Sequence, residues 1–487
     1  MGKEYFKVTP EMEQEWKENN LKHILFDVDC GLGKTQAVLD LMKEHPTESM
    51  LYLVPRIELL KSIENRAKKD GVDNIKVMTI QDLYYVLKRL PDAGFLLCGY
   101  QWVCIDEAQQ AILDAPFNKT IGMTINMIVN AFKGTLLMLT GTDVGIADVF
   151  QDAYGIEVKT YRKKEAHASW LTTNSFAFVP NIDTVVNIID RATDKGEKVL
   201  FFSSTIENID KVSEMISAKS MAVVSKYSKH STRLCGRNRK HVNKLIEDEM
   251  IPENCGVVMA TKCMDVGTNI RNGSVIIVDS LEIATAIQEI NRRRREDDET
   301  VDVYFLLPNS YKISNNITKY EKELKDYALY CNDLPAWQQK HKCERISEKG
   351  IIYTVPNAVG EGAHYEVDFY YLQYIHYMFK TAFKNEKVSG YKSAVEQALG
   401  VPSVTLTAVG RKTLEELVGV KLATKEEKNW LIELFEEDFR SATYLNMLLE
   451  AKGLPYRIET GLPKEMPSKN GKRRTCRSAW MLVRTDQ

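Results

Sequence analysis

The sequence predicts an α/β protein: two successive domains built on parallel sheets, followed by a mainly helical segment. Three observations carry that expectation. Short apolar runs bounded by turn residues recur over residues 1–310 and alternate with charged, helix-like stretches. The runs are continuous rather than alternating, as strands covered on both faces must be. From about Ile317 the chain turns helix-like and aromatic-rich, with few β-like runs.

The first series of strand-like runs is "HILFDVD", "MLYLVP", "IKVMTI", "WVCIDE" and "TLLMLTGT"; the second is "KVLFFSS", "MAVVS", "GVVMAT", "SVIIVD" and "VDVYFLLP". A boundary falls near "SWLTTNSFAFVPNID", residues 169–183, which gives domains at 1–165, 166–312 and 313–487. A length of 487 residues agrees with about three domains, and a hydrophobic content of 44% lets each bury a core. No apolar run approaches the roughly 20 residues of a membrane span, and the N-terminus has no secretory apolar stretch. The protein is therefore expected in the cytoplasm, without a membrane partner. Nine cysteines, none in C-x-x-C spacing, fit a reducing compartment and no zinc site. With a net charge of −2, any surface attracting nucleic acid must be local.

The chemistry begins at "FDVDCGLGKT", residues 26–35. Glycines at 31 and 33 let backbone N–H groups turn inward around an anion at the start of a helix. Lys34 supplies a point charge, and Thr35 a hydroxyl for a magnesium ion. Val28 stands where the full G-x-x-x-x-G-K-[ST] form has its first glycine, so the run alone also fits a glycine-containing strand–helix turn. "WVCIDEAQ" ends a buried run with adjacent carboxylates. Asp106 there can hold a metal, and Glu107 can take a proton from an attacking water. Taken singly, the same pair fits a solvated turn. In the second half, "ATAIQEINRRRRE" places Gln288, Arg292 and Arg295 at i, i+4 and i+7, on one face of a continuous helix. Such a face can neutralise charge on a transferring phosphoryl group. A basic surface helix would read the same way.

Together these stretches resemble superfamily 2 helicases, in order, across roughly residues 20–300. "VDCGLGKT" resembles motif I, "LVPRIELL" motif Ia, "VMTIQDL" motif Ib and "IDEAQ" the DExx motif II. "LTGT" resembles motif III, "VLFFSS" stands where motif IV belongs, "ATKCMDVGTNI" is similar to motif V and "QEINRRRR" to motif VI. The resemblance implies two tandem RecA-like domains that bind ATP and Mg2+ in the cleft between them. Gly31, Gly33, Lys34 and Thr35 would cradle the phosphates, with Thr35 and Asp106 on the metal and Glu107 activating water. Arg295 would be the arginine finger, Arg292 a second γ-phosphate contact, and Gln288 an organiser of water or phosphate. Gly267 and Asn269 fall on motif V positions of the nucleotide site. Thr140 and Thr142 would couple hydrolysis to domain movement. Arg56, Thr79, Ser203 and Thr261 would touch the backbone of a nucleic-acid strand.

The implied activity is an ATP-dependent helicase or translocase on nucleic acid. Single-stranded DNA or a duplex junction is favoured over RNA by the motif VI glutamine, and the DEAQ spelling departs from DEAD-box enzymes. The unusual spellings and compact core are those expected of a phage- or virus-encoded helicase. An ATP-gated clamp or remodeller without strand separation is the alternative. Asn291 and Arg294 replace the two motif VI glycines. Gln14 sits where an adenine-reading glutamine could lie, although a surface helix residue fits as well. The acid-free stretch 226–244 and the basic tail beyond Lys464 are candidate nucleic-acid footprints. Tyr370, Tyr374 and Tyr377 recur at helical spacing, as a core stripe or a stacking platform. "AVEQALGVPSVTLTAVGRKTL" has a helix-turn-helix outline with Gly400 at the turn.

Overall fold

In a computed structural model, the described residues are 4–90, 94–164, 171, 175–224, 242, 244–245, 248–262, 269–294, 299–341, 350–356, 363–384, 388–406, 414–424, 427–428, 431, 441–451, 453–466 and 474–485. The chain packs into two compact units, Met1–Leu406 and Thr407–Gln487. The break lies inside the stretch expected from the sequence as one accessory domain.

The first sheet has six strands: β1 (His23–Val28), β2 (Met50–Val54), β3 (Ile75–Thr79), β4 (Trp102–Ile105), β5 (Thr135–Thr140) and β6 (Lys159–Lys163). They lie in the order β3-β2-β4-β5-β1-β6, and every pairing is parallel. β2 and β4 are buried along their whole length, as continuous apolar runs require. β6, "KTYRK", is polar because it is an edge strand, and hydropathy alone did not reveal it.

The second sheet comprises β7 (Phe176–Val179), β8 (Val199–Ser203), β9 (Ser220–Val223), β10 (Val257–Ala260), β11 (Val275–Asp279) and β12 (Asp302–Leu306). After a two-stranded hairpin of β13 (Ile352–Pro356) and β14 (Ala363–Val367), the chain returns as β15 (Ser403–Thr405) to complete it. The order is β15-β7-β12-β11-β8-β10-β9, again all parallel. Two parallel sheets with helical crossovers make two successive α/β layers, the class expected from the sequence. β15 replaces the expected helix-turn-helix. The helix Val388–Leu399 forms and Gly400 turns it at φ +70°, but the chain then pairs with β7 instead of starting a second helix.

Helices dominate residues 310–399: Ser310–Asn332, Leu334–Lys340, Phe369–Lys380 and Val388–Leu399. Tyr370, Tyr374 and Tyr377 are all buried, so the aromatic stripe is core and offers no platform for bases. One apolar cluster runs from one face of the first sheet through these helices to a face of the second; the outer faces have separate clusters. The second unit has its own core around Leu417, Leu422, Leu445, Leu449, Ile458 and Leu482. Its sheet is antiparallel: β16 (Lys421–Leu422), β17 (Tyr456–Met466) and β18 (Arg474–Arg484), in the order β16-β18-β17. Much of the basic tail is therefore a paired strand. Among the described residues no helix is long and apolar enough to cross a membrane.

Gly122 shows how closely the first sheet's helices and the Phe369–Lys380 helix meet. A Cβ built there would lie 2.7 Å from Cδ2 of Tyr370. At an open helical site, glycine to alanine stabilises by about 1 kcal/mol. Here Gly122→Ala is expected to lower stability by about 1–3 kcal/mol through overpacking, measured by urea unfolding. A net gain would mean that Tyr370 does not pack there.

Candidate functional site

In a parallel sheet all strands end on the same edge, so the loops leaving β1, β4 and β5 converge. These three strands are neighbours, in the order β4-β5-β1. β1 leads into a turn in which Gly31 and Gly33 take φ values of +79° and +88°, a left-handed backbone that favours glycine. Gly33 caps the helix Lys34–Glu44. Lys34 is 9% exposed, and its ammonium donates to the carbonyls of Val28 (2.5 Å) and Asp29 (3.3 Å). A third ammonium proton remains for an anion. The loop after β5 abuts this turn: a Cβ at Gly141 would lie 2.9 Å from Cys30 Sγ and 3.5 Å from Lys34 Nζ.

Asp106 follows β4 and is 4% exposed. Its Oδ1 accepts the Glu107 N–H at 2.9 Å, and its Oδ2 accepts the hydroxyl of Tyr52 at 2.9 Å. Tyr52, from the middle of β2, also interacts with the Thr35 side chain. The two expected metal ligands are thereby joined through one buried phenol, which the sequence reading missed because Tyr52 looks like any apolar strand residue. Burial, followed by the charge of Glu107, pushes the Asp106 carboxyl up to about 6, against the pull of Tyr52, Lys34 and the Glu107 N–H. A carboxylate and a hydroxyl are hard oxygen donors, the set that suits magnesium.

Glu107 has a φ of +51°. That conformation costs a non-glycine residue roughly 1–2 kcal/mol, and such strain concentrates at functional positions. Its Oε2 accepts the amide of Gln109 at 2.5 Å. The next residue, Gln110, donates to Oε1 of Gln288 at 3.3 Å, where both side chains are buried. This bond links the loop after Glu107 to the helix Ile283–Ile290, which follows β11 of the other sheet. Around it, Oε1 of Gln109, Nε2 of Gln288 and Nε of Arg292 are buried without a hydrogen-bond partner. Orphaned buried donors and acceptors are costly and call for a polar partner, an ordered water or a ligand.

The geometry of the arginines corrects the sequence expectation. The helix ends at Ile290, with Asn291 as its C-cap, so Gln288 and Arg292 do not share a continuous helical face. The chain is drawn instead into a parallel bridge between Ile270 and Arg293: Ile270 N–H donates to the Arg292 carbonyl (2.8 Å), and Arg294 N–H to the Ile270 carbonyl (2.9 Å). Arg292 is 7% exposed. Arg293 is spent internally, on the Gly273 carbonyl at 2.5 Å, the Arg294 carbonyl and Glu299 at 3.0 Å. Arg295 and Gly267 lie outside the described residues, as does nearly all of 226–244.

Other expected contacts are committed elsewhere. Arg56 pairs with the buried Asp114 at 3.1 Å. Thr79 caps the helix Ile80–Leu87 and donates to Asp82 Oδ2 at 2.6 Å; Ser203, fully buried, donates to Asp279 Oδ2 at 2.7 Å. The hydroxyls of Thr79 and Ser203 are thus engaged in this structure, by a helix cap with its aspartate and by a buried aspartate of the neighbouring strand. Thr261 is half-buried after β10, with its N–H on the Val223 carbonyl at 3.2 Å. Asn269 donates to Glu249 Oε1 at 3.1 Å. Thr140 bonds the Thr142 carbonyl (2.8 Å) and N–H (3.1 Å), closing the loop after β5, while the Thr142 hydroxyl is buried and unpartnered. Gln14 bonds Glu18 one turn along its own exposed helix. Two residues not expected at the site are there. Lys164 binds Asp27 at 2.5 Å, Asp29 at 3.3 Å and the Gly141 carbonyl at 3.2 Å. The half-exposed ring of Tyr5 lies against Gly33.

No protein-family model and no curated protein matches the sequence. Among solved structures the chain is similar to the Mycobacterium smegmatis helicase Lhr bound to ssDNA and AMP-PNP, at 13% identity over 63% of this chain and 46% of that one, with a TM-score of 0.43. It is similar also to a DEAD-box helicase bound to ssRNA and UDP-BeF, at 15% identity over 64% and 72% of the two chains and a TM-score of 0.47. A third is the Escherichia coli DEAH/RHA helicase HrpB, at 15% over 61% and 42%, TM-score 0.43. The chain spans less than half of Lhr and of HrpB. At these identities and TM-scores none of these likenesses assigns a family or an activity.

The site generates two predictions. The Asp106 carboxyl, raised in the folded state from 3.8 to about 6, holds its proton after the unfolded chain has lost its own. Its contribution to stability is therefore fully present below about pH 4 and lost as pH rises through 6. In metal-free buffer Asp106→Asn should gain on the wild type between pH 4 and 7, by on the order of 2 kcal/mol, in paired urea titrations. A difference independent of pH would contradict the burial of that carboxylate. Arg293→Ala should cost about 2–3 kcal/mol through its lost hydrogen bonds, whereas Arg292→Ala should cost little, because it removes a guanidinium with an unsatisfied Nε. The reverse ranking of the two melting temperatures would overturn the assignment of Arg293 as the structural arginine.

Proposed function

We propose that this chain is a nucleic-acid-dependent ATPase of the superfamily 2 helicase kind, with its ATP site in the cleft between the two parallel sheets. The observation that carries the proposal is the buried Gln110–Gln288 bond with its unsatisfied neighbours, because it joins the strained Glu107 turn of one sheet to the Arg292 segment of the other. A polar ligand held there would contact both halves, which is the condition for a ligand to bias the cleft between open and closed states.

In this reading Gly31, Gly33 and Lys34 hold the phosphates, and Thr35 and Asp106 hold Mg2+. ATP with its metal supplies the phosphoanhydride and the charge neutralisation. Tyr52 keeps the Asp106 carboxylate aimed. Glu107 accepts the proton of the attacking water, and Gln288 and Arg292 approach from the second sheet to meet charge on the phosphoryl group. Arg295 is retained as the arginine finger, and Gly267 and Asn269 as motif V residues of the same site. Thr140 and Thr142 shape the loop that would move with nucleotide state. A strand crossing the C-terminal edges of both sheets would be gripped without reading sequence, with Thr261 as a contact and DNA favoured over RNA.

The decisive measurement is steady-state ATP hydrolysis with single-stranded DNA, RNA and duplex, followed by strand displacement on the best activator. Stimulated hydrolysis with displacement is the expected result, and stimulation without displacement would instead identify an ATP-gated clamp. Equal rates with and without every polymer would end the helicase proposal. Glu107→Gln should retain nucleotide binding while turnover falls by about 100-fold or more, the usual loss when a general base is removed. Undiminished turnover in that variant would remove Glu107 from the mechanism.

A further inference from the structure

The helix Phe369–Lys380 belongs by chain connectivity to the second sheet, since β12 precedes its segment and β15 follows it. Its side chains nevertheless bind both halves. Toward the second sheet, Tyr374 donates to Glu282 at 3.0 Å and the Tyr377 hydroxyl accepts the Ala284 N–H at 2.7 Å. That N–H lies in the first turn of the helix carrying Gln288, where no intrahelical acceptor exists. Toward the first sheet, the N-cap Asp368 pairs with Lys119 at 3.2 Å, and the Tyr370 hydroxyl meets that of Tyr154 at 3.3 Å. Gln373 donates to the Val144 carbonyl at 3.0 Å, two residues beyond Thr142.

These contacts are buried or half-buried, so separating them would strand polar groups away from water. The two rows are not equivalent. Chain connectivity backs the contacts to the second sheet, whereas those to the first are held only by side chains and are the ones an opening cleft would break. They also end at two places that matter to the proposed cleft, the loop closed by Thr140 and Thr142 and the helix bearing Gln288.

We infer that the Phe369–Lys380 helix is an arm of the second half that grips the loop after β5, setting the position of Gln288 against Gln110 and the width to which the cleft opens. Gln373 and Tyr370 are positioning residues in this scheme. They touch no proposed reacting group and act through the loop and the helix they join. The inference rests on the proposed cleft for its catalytic consequence but not for its mechanical one.

The test uses the full chain with Gln373→Leu and Tyr370→Phe combined, which removes two polar contacts to the first half, keeps the ring and leaves the second-half contacts alone. Donor and acceptor dyes are placed at Tyr85→Cys and Met215→Cys, exposed helix positions associated with the first and second sheets, with Cys98→Ser and Cys331→Ser to clear the exposed thiols among the described residues and Cys235→Ser, Cys263→Ser, Cys343→Ser and Cys476→Ser to clear four further ones. The distance distribution between dyes should broaden toward longer separations. Where the wild type hydrolyses ATP, kcat should fall by roughly tenfold, the equivalent of one buried hydrogen bond, with KM for ATP little changed. An unaltered distance distribution overturns the arm whatever the turnover. A wild type without ATP hydrolysis defeats the proposed function and leaves the distance result to decide the arm. If the double variant does not fold, Gln373→Leu alone supplies the same comparison.

Discussion

A parallel strand buried on both faces can deliver polar chemistry only where it stops, because anywhere earlier a charged side chain would enter an apolar layer at a cost of several kcal/mol. This constraint orders the first sheet. β1, β4 and β5 each hold an apolar run and then change character within a residue or two: Asp29 after β1, Asp106 and Glu107 after β4, Thr140 at the end of β5. Since the strands are adjacent and parallel, residues far apart in sequence become one polar patch on one edge of the sheet.

The groups that do penetrate the interior are each answered by a specific partner. Asp27, 2% exposed, is held by Lys164, just after the polar edge strand β6, and lies beside Arg162 within that strand. Asp106 is held by Tyr52 from the neighbouring strand β2, and Asp114 by Arg56. The buried side-chain atoms without a hydrogen-bond partner include Gln109 Oε1, Gln288 Nε2, Arg292 Nε and the Thr142 hydroxyl, in segments that leave strand edges or follow β11, and also the second oxygens of Asp114 and Glu323 elsewhere. Those of Gln109, Gln288 and Arg292 are the ones a polar ligand in the proposed cleft would answer.

Burial also explains where the hydroxyls expected to touch a strand are engaged in this structure. Thr79 and Ser203 occupy the places where a strand contact would be expected; Thr79 closes the first turn of the next helix, a local bond that orders no distant group, whereas Ser203 is engaged by Asp279 from the neighbouring strand β11. Arg293 is likewise drawn inward, by residues some twenty positions away. An arginine in a run of four reads as surface charge, yet the parallel bridge to Ile270 turns it inward onto the Gly273 carbonyl.

The sequence by itself determined five strands of each parallel sheet, the parallel class of both and the residues at the ends of β1, β4 and β5, because period, apolar continuity and glycine placement are local properties. It did not reveal β6 or β15, whose residues owe their strand form to a partner at the sheet's edge, nor β7 at the expected domain boundary, nor β13, β14 and β16 to β18 in the stretch expected to be mainly helical. Nor did it reveal the early end of the helix at Ile290, which depends on a bridge to Ile270 twenty-odd residues away in sequence. Tyr52 beside Asp106, Gln110 against Gln288 and the arm that joins both halves were likewise decided only by tertiary structure. Each is a polar contact between residues distant in the chain. Such a contact leaves no periodic trace in the sequence, because its value arises only once both partners have lost water to the same interior.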